Sequence, residues 1–368
     1  MKRLVILTAL AAMLLAAAPA GAATRAARAP GMFYGVMWDR AATVTPGPDV
    51  TDEQWALMAR SGVESVRLVF SWANAQPTAD GPLDFSDIDE KVDLATSNGI
   101  RLLPVILYTP DWAKRYPGRF GSPPESASDY AAFARRLVER YGPGGTFWTE
   151  HPELPARPLR EWQIWNEPHF DFYWYVPESR RESWARQYVQ LLRQARAAIK
   201  GVDPGAKIVL ASFADASWRV LEKAYRAGAR GLFDVATINL FTGRPGFVIA
   251  ATRLTRRVLK SHHEPRKPIW VTETTFPAGR GRVPRPREDW QRQWYTTDAG
   301  MAKRLTELYA LGAENSARLL LRRIYWYTWG SSYQGRDDLF DYAGLVRITG
   351  GVTTPRPSLR AYRRSALR

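Results

Sequence analysis

Residues 162–168 read Trp162-Gln163-Ile164-Trp165-Asn166-Glu167-Pro168, a mostly apolar run that ends in an amide, a carboxylate and a proline. Aromatic and β-branched residues of this kind are typical of a buried β-strand, and Pro168 ends the strand because proline has no backbone N–H to donate. A charged carboxylate directly after such a strand costs free energy unless a partner or a function holds it there. The stretch therefore predicts a strand with a chemically active C-terminal end.

Seven similar runs occur along the chain, with helical patterns between them. The eight predicted strands are Phe33–Trp38, Val66–Phe70, Leu102–Leu107, Trp162–Trp165, Ile208–Ser212, Val235–Leu240, Ile269–Thr272 and Ile324–Trp329. Strands that alternate with helices imply a parallel sheet, and eight such units favour a closed barrel over an open sheet. We therefore predict an α/β fold, a single-domain (β/α)8 TIM barrel over residues 31–368.

Local signals predict where several helices begin and end. Thr51-Asp52-Glu53-Gln54 has the form of a capping box, in which two side chains satisfy free backbone N–H groups. Ser86 is placed to cap the next helix, and Gly99 follows the end of that helix, where a left-handed backbone is favoured. Further helices are predicted over residues 128–141, 182–200 and 358–367, and the last of them closes the eighth unit.

The N-terminus has the pattern of a secretory signal peptide. Met1-Lys2-Arg3 precedes the apolar run Leu4–Ala18, and small residues with an A-x-A pattern follow as far as Ala22. The apolar run is shorter than the roughly 20 residues that span a bilayer, although a retained membrane anchor is the alternative. We predict that residues 1–22 are removed, that no membrane span remains, and that the protein is secreted or extracytoplasmic.

The chain is strongly basic, with a net charge of +16 that falls to +14 if Lys2 and Arg3 leave with the signal. Such a surface attracts nucleic acid, an acidic polysaccharide or an anionic cell envelope, and the sign of the charge does not choose among them. Because the cations are scattered and form no long basic run, we expect no nucleic-acid partner. Cysteine is absent, so stability must come from a large core.

Two glutamates end strands that face each other across the predicted barrel. Glu167 ends the fourth strand, and Glu273 ends the seventh in Trp270-Val271-Thr272-Glu273-Thr274. Active sites of such barrels lie at the C-terminal ends of the strands. Facing carboxylates suit the cleavage of a glycosidic bond, because one can donate a proton to the leaving oxygen while the other stabilises or attacks the anomeric carbon. Either glutamate alone could equally be a salt-bridged residue of the rim.

Other chemistries lack the residues that they need. His262-His263 has no second ligand pair at zinc spacing, so we predict no metal site. The sequence contains neither a G-x-S-x-G elbow nor a phosphate-binding loop, so a serine hydrolase and a nucleotide-binding protein are not favoured. We expect no cofactor.

The chain resembles the clan A glycoside hydrolases, and within them the bacterial secreted enzymes of families 5 and 39. Residues 162–168 are similar to the fourth-strand motif of the clan, and residues 269–273 are similar to its seventh-strand nucleophile motif. Residues 66–72 and 103–113 are similar to second- and third-strand segments of that branch, and Pro357–Arg364 is similar to its closing helix. The resemblance implies a retaining glycosidase that cleaves the O-glycosidic bonds of a poly- or oligosaccharide in two displacement steps.

The resemblance also implies roles for individual residues. Glu167 would be the general acid/base and Glu273 the nucleophile. Asn166 would bind the 2-hydroxyl of the sugar, and Arg67 would hold Glu273 ionised and lower its pKa. An interior ion pair without a catalytic role is the alternative for Arg67.

This sequence departs from the pattern of that branch at the end of the sixth strand. The related enzymes usually place a histidine and then an aromatic residue there, whereas Asn239 and Phe241 occupy the position here. Asn239 can donate and accept a hydrogen bond but cannot titrate, and we place it among the substrate-binding residues. The departure leaves the substrate class open, and it leaves a catalytically inactive carbohydrate-binding barrel as an alternative.

Tryptophans near the predicted strand ends are candidate platforms for sugar rings, because flat aromatic faces stack on pyranose C–H groups. The six candidates are Trp72, Trp112, Trp165, Trp174, Trp326 and Trp329. We prefer Trp326 and Trp329 as stacking residues and expect about half of the six to be structural. The aromatic cluster Phe170–Tyr175 is predicted to be a subsite wall. The predicted partner is a carbohydrate, with an acidic or envelope-associated polysaccharide as one form of it, whereas the linkage and the oligomeric state are left open.

Overall fold

The computed structural model describes residues 32–38, 51–283, 293–333 and 339–367, so the predicted signal segment lies outside the described residues. Eight parallel strands form the centre of the molecule, in the order β5-β4-β3-β2-β1-β8-β7-β6. They are Phe33–Met37 (β1), Ser65–Ser71 (β2), Arg101–Leu107 (β3), Glu161–Ile164 (β4), Lys207–Val209 (β5), Ala236–Asn239 (β6), Ile269–Thr274 (β7) and Leu321–Tyr327 (β8). A parallel bridge between Val209 and Val235 joins the two outer strands and closes the sheet. The predicted (β/α)8 barrel is confirmed.

Helices connect the strands and cover the outside of the barrel. Those in the described ranges are Asp52–Arg60 (α1), Trp72–Ala75 (α2), Ser86–Ser97 (α3), Ala127–Tyr141 (α4), Thr146–Glu150 (α5), Trp184–Val202 (α6), Ser217–Arg226 (α7), Pro245–Ser261 (α8), Asp298–Leu319 (α9) and Pro357–Ala366 (α10). Among these helices, none combines the length and the apolar character that a membrane crossing needs.

A small sheet of three strands follows the barrel. It consists of Gly330–Ser331 (β9), Val346–Thr349 (β10) and Val352–Pro355 (β11), with β10 in the middle. This sheet explains why the capping box predicted for α1 is wrong. Thr51 precedes α1, but its hydroxyl caps no backbone N–H. Gln54 instead accepts a hydrogen bond from Trp329 Nε1 (2.8 Å) and donates one to Thr353 of β11, so it attaches the helix to the segment after β8.

The ends of α3 agree with the prediction in part. Ser86 is the first residue of the helix and not its cap, since Phe85 occupies the N-cap position. The Ser86 backbone N–H donates to Asp84 Oδ1 at 2.9 Å. Gly99 has the expected left-handed backbone, with a φ of 70°. A short polar side chain before the helix and a glycine after it therefore define this element.

Apolar side chains pack on both sides of the barrel wall. The larger core lies between the strands and the helices, and a smaller cluster comes from alternate positions of the strands. The members of the smaller cluster are Leu103, Val209, Val235, Trp270 and Tyr325. Gly35 of β1 makes room for this cluster, because a Cβ atom there would lie 2.6 Å from the Tyr325 ring and 2.6 Å from the Ser65 carbonyl oxygen. The barrel interior is thus filled by side chains.

Candidate active site

Glu167 and Glu273 both lie at the C-terminal end of the barrel, as the sequence predicts. After β4 the backbone turns sharply, with positive φ values of 70° at Trp165 and 41° at Glu167. The Glu167 N–H then donates to the Ser212 carbonyl oxygen at 3.0 Å, which fixes this turn beside the end of β5. Glu273 belongs to β7 and is paired with Asn239 in the register of β6 and β7. The two glutamates are only 8% and 7% exposed.

Arg67 of β2 binds Glu273 directly. Its Nη1 atom lies 2.5 Å from Glu273 Oε1, and its side chain is buried. Its Nη2 atom donates to Asn166 Oδ1 at 2.9 Å. The oxygen of the Asn166 side chain is therefore occupied, whereas no described residue accepts from its Nδ2 amide. Arg67 thus orients both the carboxylate and the neighbouring amide donor.

A chain of hydrogen bonds connects Arg67 with Glu167 through four intervening side chains. Arg67 Nε donates to Gln163 Oε1 (2.7 Å), and Gln163 Nε2 donates to Ser212 Oγ (2.7 Å). Ser212 Oγ and Thr272 Oγ1 are 2.8 Å apart, and Thr272 Oγ1 donates to Asn239 Oδ1 at 2.8 Å. Because Thr272 uses its only proton on Asn239, Ser212 must be the donor in the pair before it. We call this series the donor chain.

Asn239 ends the donor chain at the candidate acid/base. Its Nδ2 atom donates to Glu167 Oε1 at 2.7 Å, and its side chain is fully buried. With both ends of the amide used and no exposed surface, Asn239 does not reach a substrate. This corrects the prediction that Asn239 binds substrate, because the side chain holds Glu167 instead.

Burial and neighbouring charges give the carboxyl groups of Glu167 and Glu273 different tendencies to hold a proton. Burial raises the pKa of Glu167 to about 8, helped by the charge of Glu273 and opposed by the Asn239 hydrogen bond and by Arg67. Burial also raises the pKa of Glu273, but the direct ion pair with Arg67 opposes that rise. Arg67 therefore lowers the pKa of Glu273 as the resemblance implies, but burial outweighs that effect and leaves the pKa above its usual value. Since only Glu273 touches the guanidinium, the pair holds its proton on Glu167 and its charge on Glu273.

Three tyrosines that the sequence analysis did not single out individually lie around the carboxylates. Burial, and then the charge of Glu167, raises the pKa of Tyr173 well above its usual range, and Tyr108 and Tyr327 contribute to the same rise. Tyr108 directly follows β3, and Tyr327 ends β8. The position of a tyrosine at the C-terminal end of a barrel strand was the signal available in the sequence.

Trp326 and Trp329 lie in the core and do not face the site, so the stacking role predicted for them is wrong. Both are fully buried, and the Nε1 atom of Trp326 donates to the Ala343 carbonyl oxygen at 3.0 Å. Successive residues of a strand point to opposite faces. On β8 the neighbours Tyr325 and Tyr327 face the barrel interior, which turns Trp326 towards the helices.

The other candidate tryptophans are also largely structural. Trp72, Trp165 and Trp174 are buried, and among the six candidates only Trp112 is partly exposed. Trp112 Nε1 donates to the Gln76 carbonyl oxygen at 2.9 Å, which fixes its ring beside Trp72. Open aromatic surface near the carboxylates must therefore come from other residues.

Exposed phenylalanines supply that surface on one side of the barrel mouth. Phe120 is 59% exposed and Phe172 is 46% exposed, and their ring centroids are 5.2 Å apart. Tyr108 continues the row, with its ring 5.5 Å from Phe120. A cavity of about 410 Å³ is lined by Tyr108, Phe120 and the polar residues Asn74 and Asp111. We call Tyr108, Phe120 and Phe172 the aromatic wall.

A second aromatic group lies at the ends of β6 and β8. Phe241 contacts Tyr327 at 5.6 Å and Phe340 at 4.9 Å between ring centroids. The departure from the family pattern at Phe241 thus keeps an aromatic ring beside the end of β8. Within the described ranges, no group of three histidine, aspartate or glutamate side chains could hold a metal ion.

Comparisons with known proteins find similar folds but no similar sequence. No family model matches the chain, and no curated protein sequence does. A family 39 glycoside hydrolase from the gut symbiont Bacteroides cellulosilyticus WH2 superposes with a TM-score of 0.60 and 17% identity over 90% of this chain. A monomeric β-xylosidase from Caulobacter crescentus CB15 superposes with a TM-score of 0.62 and 17% identity over 92% of this chain. An endoglucanase from Pseudomonas stutzeri superposes with a TM-score of 0.59 and 18% identity over 91% of this chain. The chain has the fold of these glycoside hydrolases.

The lengths of these three neighbours differ. This chain spans 63% of the Bacteroides enzyme and 69% of the Caulobacter enzyme, but 92% of the Pseudomonas endoglucanase. Because these identities are below 20%, the comparisons establish the fold only. The activity of this chain has to be argued from its own residues.

Proposed function

We propose that this protein is a retaining glycoside hydrolase that cleaves the O-glycosidic bonds of a poly- or oligosaccharide. One observation carries the proposal: Glu167 and Glu273 are buried at the mouth of the barrel, with a pKa of about 8 at Glu167 and an arginine on Glu273. Two carboxyl groups that are driven to opposite protonation states are what a two-step glycosidase needs.

In the first step, the protonated Glu167 donates its proton to the glycosidic oxygen as the bond from that oxygen to the anomeric carbon breaks. An ionised oxygen of Glu273 attacks the same carbon and forms a covalent glycosyl ester. Arg67 orients Glu273 for this attack. The Nδ2 amide of Asn166 donates to the 2-hydroxyl of the sugar, a contact that strengthens in the transition state.

In the second step, Glu167 acts as a base. Once Glu273 is esterified, its negative charge no longer raises the pKa of Glu167, so that pKa falls and the ionised form left by the first step is favoured. It takes a proton from water as the water oxygen bonds to the anomeric carbon, and the ester bond to Glu273 breaks. The free sugar leaves with the configuration that it had in the substrate.

The surroundings of the glutamates suggest the substrates to test first. The aromatic wall offers exposed ring faces to sugar C–H groups, and the cavity beside it adds polar atoms for hydroxyl groups. Two of the structural neighbours are named a β-xylosidase and an endoglucanase. Aryl β-xylosides, aryl β-glucosides and their polysaccharides are therefore the first substrates for a screen, followed by acidic polysaccharides.

The stereochemistry of the product tests the mechanism. Carboxylates of a retaining enzyme stand about 5–5.5 Å apart, which leaves no room for a water between Glu273 and the anomeric carbon. Proton NMR of the first sugar formed, recorded before mutarotation, should show the anomer of the substrate. The opposite anomer would mean carboxylates roughly 6.5–9.5 Å apart and would exclude attack by Glu273.

If no substrate in the screen is hydrolysed, binding measurements decide between the remaining alternatives. If oligosaccharides bind but none is cleaved, the protein is the inactive carbohydrate-binding barrel that the sequence leaves as an alternative. We also propose export through residues 1–22, and the mass of the mature protein from its native host should show their removal.

A further inference from the structure

A second hollow lies at the opposite end of the barrel, where the strands begin. Its volume is about 520 Å³, which is within the range of small-molecule sites. It is lined by Phe33 at the start of β1, Arg101 at the start of β3 and Lys207 at the start of β5, together with Arg157, Arg160 and Arg323. We call this site the basal hollow.

The floor of the basal hollow is a satisfied ion pair. Arg323 donates to both carboxylate oxygens of Glu161, at 2.6 and 2.7 Å. Its guanidinium also lies over the rings of Phe33 and Trp270, at 4.4 and 3.8 Å from their centroids. This rigid pair neutralises the interior, and Lys207 lies 3.6 Å from Glu161 at its edge.

The rim of the basal hollow has an excess of positive charge. Five cations and one carboxylate line it, and Arg323 already satisfies that carboxylate. Arg160 has Asp203 at 3.3 Å. Arg101 and Arg157 are exposed, and neither forms an ion pair within the described part of the chain. Two arginines without a counter-charge beside a concave surface favour the binding of an anion.

The walls of the basal hollow are apolar. Ile100, Leu102 and Leu159 line it below the basic rim. A bare inorganic ion would leave these walls and most of the volume without a contact. A carboxylated sugar ring suits both parts, because its C–H face packs on apolar side chains while its carboxylate accepts two hydrogen bonds from a guanidinium.

We propose that the basal hollow binds an acidic saccharide, a chain of sugars that carry carboxylate groups, at a site separate from the one that holds Glu167 and Glu273. The choice of a saccharide as the anion rests on the proposed glycosidase function. Binding at the basal end would keep the enzyme on a polymer while the other end of the barrel acts.

Calorimetric titration of the full protein with trigalacturonate tests this site. We expect binding of one equivalent to the wild type, and affinity at least about tenfold lower in the double variant Arg101→Gln/Arg157→Gln, which loses two charge-assisted contacts. The variant should fold normally because both side chains are exposed. The methyl ester of trigalacturonate, which has the same rings without the charge, should bind weakly to either protein.

A matched variant separates a site from general attraction. Arg363→Gln/Arg364→Gln removes the same charge from the exposed surface of α10 and should leave the affinity unchanged. Equal weakening by the two double variants would overturn the proposal. So would equal affinity for the methyl ester, for inorganic phosphate or for a short single-stranded oligonucleotide.

Hydrolysis of an aryl β-glycoside, measured on the same preparations, keeps the two proposals apart. Both double variants should retain the wild-type rate, because the changes lie far from Glu167 and Glu273. A protein that binds trigalacturonate through Arg101 and Arg157 but cleaves no glycoside would contradict the proposed function alone. A protein that cleaves glycosides but does not bind trigalacturonate would contradict the basal site alone.

Discussion

Asn239 controls how readily Glu167 loses its proton. Its amide donates to the carboxylate, stabilises the ionised form and so lowers the pKa of Glu167. Replacing it with leucine, which has the same branched arrangement of heavy atoms but no hydrogen-bond donor, should raise that pKa further above about 8. We expect the alkaline limb of kcat/KM for a substrate with a poor leaving group to move up by about one pH unit, since a hydrogen bond to a charged group is worth about 1.5 kcal/mol.

The control for this prediction is Asn98→Leu, which removes an amide hydrogen bond to Leu94 at the end of α3, away from the glutamates. That variant should keep the wild-type pH profile. A limb that stays in place, or moves to lower pH, in Asn239→Leu would show that Asn239 does not set the pKa of Glu167.

Glu167 and Glu273 should fail in different ways when they are removed. Glu167→Ala should still form the glycosyl ester from aryl glycosides with good leaving groups, because these need little proton donation, and azide should rescue its turnover. Glu273→Ala should be nearly inactive on every substrate, since no nucleophile remains. Steady-state rates with and without azide measure both, and identical behaviour of the two variants would make the assigned roles wrong.

The type of a residue predicts its chemistry better than it predicts the direction in which its side chain points. Strand ends and charge point to Glu167 and Glu273 in the sequence, whereas Asn166 and Arg67 entered through the resemblance to a family. The structure places Arg67 in contact with Glu273 and Asn166, and the roles of all four residues stay predictions. It did not show that Trp326 points towards the helices, because one step along a strand reverses the side. The same step brings Tyr327 to the mouth of the barrel.

Strand β1 depends on a glycine for its fit against β8. Gly35→Ala would place a methyl group 2.6 Å from the Tyr325 ring and from the Ser65 carbonyl oxygen. We expect a loss of about 1–3 kcal/mol in the free energy of unfolding, because the backbone oxygen cannot move away cheaply. Urea unfolding followed by tryptophan fluorescence measures the change.

Gly201→Ala in α6 is the matched control for this prediction. A Cβ atom there meets nothing within 4 Å, so the same substitution should stabilise the helix by about 0.5–1 kcal/mol. If Gly35→Ala were as stable as the wild type, the close packing of β1 against Tyr325 would be refuted.

The strand boundaries show what sequence patterns miss. The fourth strand was predicted to include Trp165, but its positive φ takes it out of β4. The eighth was predicted to begin at Ile324, whereas β8 begins at Leu321 and takes Arg323 into the barrel. A buried arginine is hard to foresee because its partner, Glu161, is 162 residues away in the sequence.

The whole molecule should respond to salt according to its charge. With a net charge of +16, it should bind an acidic polysaccharide more weakly at high salt, because charges are screened within about 8 Å at physiological ionic strength. Hydrolysis of a neutral aryl glycoside should change little over the same range. Co-sedimentation with the polysaccharide gives the affinity, and salt-independent binding would exclude an electrostatic contribution.

The architecture as a whole could be predicted from the sequence because eight repeats of one pattern leave few alternatives. The small sheet of β9, β10 and β11 could not, since its strands have two to four residues and no clear periodicity. The basal hollow could not be predicted from the sequence either. Its cations come from segments that are far apart in the sequence and meet only when the barrel closes.

The donor chain has a consequence for how this protein can be changed. Every hydrogen bond in it is donated in the same direction, from Arg67 towards Glu167, so reversing one hydrogen bond would leave a neighbour without a partner. We therefore expect a single change at Gln163, Ser212 or Thr272 to lower the free energy of unfolding, because it would leave a buried polar neighbour without a partner. Asn239 is the last link, and Thr272 Oγ1 also lies 3.2 Å from the Ile238 carbonyl oxygen, so a change at Asn239 leaves Thr272 with a second acceptor. Through this one position an engineer could reset the working pH without rebuilding the barrel.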